Sequence, residues 1–83
     1  MYEVPKILFG RAVKARRLAI QISQEELAEK AALHRTYISD VERGMRNISL
    51  ESMVKIAGAL GMPLVNLFSE FPINRESMIQ PCG

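Results

Sequence analysis

The sequence predicts an all-α fold, a compact domain of five short helices, on three observations. Apolar residues recur at the three-and-four spacing of amphipathic helices in one stretch after another. Helix-start signals stand at Ser23 and Ser49, and helix-stop glycines at Gly44 and Gly61. No alternating apolar and polar run is long enough for a strand.

The first helix is expected over residues 5–21, with Leu8, Phe9, Ala12, Val13 and Ile20 on its apolar stripe. Pro5 suits the first turn, where its missing N–H has no helical partner to lose. Ser23 followed by Glu26 is a capping box, so a second helix starts at Gln24, buries Leu27, Ala28 and Ala31, and ends near Ala31. A third covers residues 35–43, with Ile38 and Val41 inward and Gly44 as its stop. Ser49 caps a fourth over residues 50–60, whose buried face is Leu50, Met53, Ile56, Ala57 and Leu60. A fifth, over residues 64–70, carries Leu64, Val65, Leu67 and Phe68, with Phe71 just beyond. After Pro72 the periodicity is lost. The expected organisation is one helical domain over residues 1–70 and a C-terminal tail over residues 71–83.

Composition narrows the class. The chain has 83 residues, 48% of them apolar and 24% charged, enough for one small core and too apolar for a disordered chain. Its apolar runs fall far short of the roughly 20 residues a membrane span requires, and no basic segment leads into an apolar stretch at the N-terminus. A lone Cys82 forms no internal disulfide, and with a lone His34 it makes no zinc site. A cytoplasmic domain with no metal, cofactor, membrane or small-molecule substrate is expected. The net charge is only +2, but Lys6, Arg11, Lys14, Arg16 and Arg17 cluster, followed by Glu25, Glu26 and Glu29, which sets up distinct electrostatic faces.

Residues 24–43, QEELAEKAALHRTYISDVER, are the most specific signal. Two short helices separated by so few residues cannot form an antiparallel hairpin and suit a steep crossing, with the small Ala28 at the contact. This is the geometry of a helix-turn-helix, whose second helix fits a major groove about 12 Å wide. Because Ile38 and Val41 face inward, the opposite face presents Arg35, Thr36, Ser39, Asp40 and Arg43. Arginine binds guanine O6 and N7 through two parallel hydrogen bonds, and serine or threonine offers a hydroxyl or methyl.

The chain resembles the phage-repressor/Cro-like helix-turn-helix family of the lambda-repressor-like fold. Its LHRTYISDVERGMRNISLESMVKIAGALG stretch is similar to the controller proteins of restriction–modification systems. That resemblance implies a homodimeric regulator of transcription that binds palindromic operators in double-stranded DNA and activates or represses its own or restriction–modification genes. By position it assigns Arg35, Thr36 and Ser39 to base reading, and Arg43, Arg46 and Asn47 to phosphate binding. It also assigns Arg17 and Glu42 to a structural ion pair between the first and third helices. The family pattern has glycine where this chain has Ala32 in the turn, and a helix-ending glycine where it has Gln21.

Other residues are placed by chemistry. Gln24 opens the second helix, where backbone N–H groups and the helix dipole favour a phosphate, and Lys14 is an added phosphate candidate. Tyr37 either stacks on the sugar-phosphate backbone or packs beside the first turn. Asp40, a base-reading candidate through cytosine N4, alternatively orients Arg43 or repels wrong sequences. Val65, Phe68 and Phe71 are the candidate dimer contact, with Leu64 and Leu67 capping the core. Activation would need the sigma subunit of RNA polymerase as partner, with Glu25 and Glu29 as candidate surface. No enzyme is expected, since His34, Ser39 and Asp40 on one helix supply neither triad geometry nor a cleft. The competing functions are the antitoxin of a toxin–antitoxin pair, acting through the tail, and a small phage-type repressor.

Overall fold

The computed structural model describes residues 5–68. They form α1 (Pro5–Ala19), α2 (Gln24–Ala31), α3 (Arg35–Glu42), α4 (Leu50–Ala59) and α5 (Leu64–Phe68). Phe71, Cys82 and the whole tail over residues 71–83 lie outside the described residues, as do positions 69 and 70 of the expected fifth helix.

Local signals set the boundaries. The Ser23 hydroxyl accepts from the Glu26 N–H at 3.0 Å, and the Glu26 carboxylate accepts from the Ser23 N–H at 3.4 Å, closing the capping box. Ser49 accepts from the Ser52 N–H at 3.1 Å and starts α4. The first four helices all stop in the same way. A residue just past each one takes a left-handed conformation: Gln21 (φ 62°), Ala32 (φ 58°), Gly44 (φ 71°) and Gly61 (φ 75°). The following N–H then bonds back to a carbonyl inside the helix, as Leu33 to Ala28 at 2.9 Å and Met45 to Asp40 at 2.9 Å. The first helix is therefore shorter than its apolar spacing predicts, because Gln21 reverses the chain and Ile22 bonds back to Arg17 at 3.2 Å.

The core is built from Val13, Leu27, Ile38, Val41, Ile56, Leu60 and Leu67, all fully buried, with Phe9 and small alanines between them. α3 packs on α1 and α2, α4 on α2 and α5, and α5 on α1. Gly10 lets α1 approach α3 backbone to backbone, since a Cβ there would run into the Val41 carbonyl oxygen. Leu50 departs from its expected place on the buried face of α4 and is 69% exposed. Its angular position is inward, but burial deepens along the helix from Leu50 through Met53 to Ile56, so the first turn runs past the edge of the core.

Ala32 has a Cβ in a conformation that disfavours one. Ala32→Gly is expected to stabilise the protein by about 1 kcal/mol, a rise of roughly 4–8 °C in melting temperature for a domain of this size. Thermal unfolding followed by circular dichroism reads it directly.

Candidate nucleic-acid interface

A helix of eight residues does not hold itself together in water, so α3 owes its position to its neighbours. Ile38 and Val41 anchor its inner face. Glu42, at its last turn, anchors its end. The carboxylate of Glu42 accepts from Arg17 Nε at 2.7 Å and Nη2 at 3.1 Å, and from the Gln24 amide at 3.0 Å. Arg17 also donates through Nη1 to the Ile22 carbonyl at 2.9 Å. One inward-facing acid thus ties α3 to α1, to the start of α2 and to the reversal between them. Arg17 is 8% exposed, and no buried side-chain polar atom among the described residues lacks a partner. The hydrogen bond to Glu42 raises the Arg17 guanidinium further above its usual range, against the opposing effect of burial.

With its inner face fixed, α3 turns Arg35 and Thr36 fully outward and Ser39 partly so. Arg35 has no hydrogen bond or ion pair among the described residues, leaving its guanidinium fork open. His34 stands at the N-cap, exposed, with no side-chain cap bond.

The basic residues at the far end of α3 are organised by Asp40. Its carboxylate accepts from Arg43 Nη2 at 2.6 Å and from Arg46 Nη2 at 3.0 Å. Those two hydrogen bonds, Arg43 first, hold the Asp40 carboxyl below the usual carboxylate range. The Arg46 guanidinium also lies 4.6 Å over the Tyr37 ring. Tyr37 itself is half-buried against the core, so it packs inward with one face and supports Arg46 with its ring. Asn47 and Lys14 are exposed, in the loop after α3 and on α1 respectively.

The Gln24 side chain is bound to Glu42. The backbone of α2 keeps the expected capacity. The Ser23 hydroxyl takes the Glu26 N–H, so the N–H groups of Gln24 and Glu25 have no acceptor among the described residues. Three contacts were not anticipated from the sequence: Gln24 to Glu42, Arg46 to Asp40, and Arg46 over Tyr37. On α5, Leu67 is fully buried and Leu64 half-buried, whereas Val65 is 67% and Phe68 39% exposed. The Phe68 ring packs at 6.1 Å from that of Phe9.

The pattern of the helix-turn-helix family matches residues 13–67. The Control protein C.BamHI of Bacillus amyloliquefaciens is 53% identical over 58 residues, which are 69% of this chain and 72% of that one. The restriction-modification controller protein C.AhdI from Aeromonas hydrophila superposes with a TM-score of 0.74 at 41% identity, over 76% of this chain and 96% of that chain. The structure of C.Esp1396I bound to a 25 base pair operator site superposes with a TM-score of 0.75 at 34% identity, over 82% of this chain and 90% of that chain.

Removing one member of the inner node leaves a nearly buried charge without its partner. Glu42→Ala is expected to lower stability by about 3 kcal/mol, measured as a shift of the urea midpoint at unchanged slope.

Proposed function

Since the chain belongs to the helix-turn-helix family, among the controller proteins of restriction–modification systems, we propose that it is a sequence-specific DNA-binding regulator of transcription. The observation that carries this is the outward face of α3, where Arg35, with no partner among the described residues, stands on a helix immobilised from behind. Arg35, Thr36 and Ser39 read base edges in the major groove. Arg43, Arg46, Asn47 and Lys14, with the backbone N–H groups at the start of α2, take phosphates on either side and set register. The likeness to C.Esp1396I, whose structure is bound to a 25 base pair operator site, supports duplex DNA as the ligand.

One short helix reads too few base pairs to find a site in a genome. The protein therefore acts as a homodimer on a palindromic operator, with two α3 helices about 34–36 Å apart. The exposed apolar side chains of Val65 and Phe68 supply the contact. Activation and repression both fit this arrangement. Glu25 and Glu29, exposed on α2, are the surface an RNA polymerase sigma subunit would meet.

Selection of bound duplexes from a random pool tests the proposal: it should return a palindrome, and recovery of no preferred sequence would refute it. Against that operator, Arg35→Ala should lose about 1–3 kcal/mol and relax the preference at one position of each half-site. Arg46→Ala should weaken binding without relaxing the preference at any base position and reduce the salt slope by about one. Fluorescence anisotropy over a salt series separates the two patterns.

Val65→Asp places a charge in the proposed dimer contact while leaving the buried Leu67 in place. Sedimentation should show monomers with weakened operator binding. A tight dimer after that change would put the interface elsewhere.

A further inference from the structure

Asp40 and Glu42 are two acids close together on one helix, yet only Glu42 faces the interior. Asp40 stands on the outer side, its side chain 22% exposed, between Arg43 at 66% and Arg46 at 42%. The two arginines reach it from different parts of the chain, Arg43 from the end of α3 and Arg46 from beyond the reversal at Gly44. Arg46 is held on another side by the Tyr37 ring. Each arginine gives Asp40 one N–H, through Nη2, and a guanidinium has five. The carboxylate therefore fixes where two cations stand without using up the donors a phosphate would need. It also cancels one of their two positive charges as seen by any polyanion.

We propose that Asp40 is a specificity-determining positioning residue, which presets Arg43 and Arg46 as one phosphate seat and damps their attraction to phosphates anywhere else. The proposal rests on the DNA-binding reading above and adds a discriminating element to it. A free arginine loses rotamer freedom when a phosphate immobilises it, and an arginine already held loses less. DNA in the operator register, with a phosphate at the seat, gains from that preorganisation. DNA that presents its phosphates elsewhere meets a half-neutralised pair and gains little. Asp40 acts through the arginines here and not as a base reader, since each of its two oxygens is already turned to one of them.

The test compares the selected operator with a scrambled duplex of equal length over a salt series, using the full chain. The variants are Asp40→Asn, Glu51→Gln as a charge-matched control at an exposed acid in the first turn of α4, and Asp40→Asn in an Arg43→Ala/Arg46→Ala background. Asp40→Asn should tighten binding to scrambled DNA by about three- to fivefold, the upper part of the range for one exposed charge pair. It should steepen that salt slope by about one and change operator affinity less, so the operator-to-scrambled ratio falls. Glu51→Gln should leave the ratio unchanged, and the double-alanine background should abolish the effect of Asp40→Asn. The proposal is overturned if Asp40→Asn leaves the ratio intact, if Glu51→Gln lowers it equally, or if the effect survives without the arginines. It is also overturned if reselection with Asp40→Asn alters one base position alone, which would make Asp40 a base reader. Failure of the wild-type chain to prefer any duplex would instead remove the DNA-binding reading itself.

Discussion

The carboxylate of Glu42, gripped by Arg17 at 2.7 Å and by the Gln24 amide at 3.0 Å, is the constraint on which the rest of the interface depends. Only Ile38 and Val41 of α3 are fully buried. Two aliphatic side chains seat a helix against a core, but they leave rotation about its axis and movement along it weakly determined. A bidentate guanidinium bond is directional, and its partners belong to α1 and the start of α2. Buried ion pairs contribute little net stability relative to apolar packing, and specifying a geometry is the better-attested use of such a group. Here the geometry specified is the direction in which Arg35 points.

The backbone contributes a second constraint. Gly10 brings α1 and α3 into direct contact, so the Arg17 side chain, two turns further along α1, meets Glu42 at full hydrogen-bonding reach. The left-handed reversals after α1 and α2 keep the connections short, and the Ile22 carbonyl that accepts from Arg17 lies within the first of them. Two of those reversals use Gln21 and Ala32 in place of glycine. Their strain is tolerated because each is followed by an apolar residue, Ile22 or Leu33, packed against the core.

What was legible in the sequence follows from how far each signal reaches along the chain. The capping box at Ser23, the glycine stops and the inward pair Ile38 and Val41 are local patterns, and they appear where the sequence places them. Arg17 and Glu42 are far apart in sequence, with no periodicity to connect them, so only the family resemblance pointed to their pairing. The Gln24 amide and the Arg46–Tyr37 contact carried no signal at all, because each depends on where a chain reversal delivers a side chain. Leu50 is exposed against its spacing for a related reason: helical spacing gives the angle of a side chain, not whether the core extends as far as that turn. Gly10 has no turn or positive φ to mark it, and its role appears only once two helices are seen in contact.

The two acids of α3 divide the electrostatics of the domain by depth. The Glu42 side chain is 3% exposed, where mobile ions penetrate poorly, so its hold on Arg17 persists as ionic strength rises. Asp40 shares the solvent with the arginines it holds, and salt weakens its bonds by the same screening that weakens any phosphate contact those arginines make. Ionic strength therefore acts on the surface of the interface and leaves its foundation alone. A DNA reader needs this separation. Its affinity must respond to salt and to competing duplexes, while the angle at which its base-reading helix is presented must not.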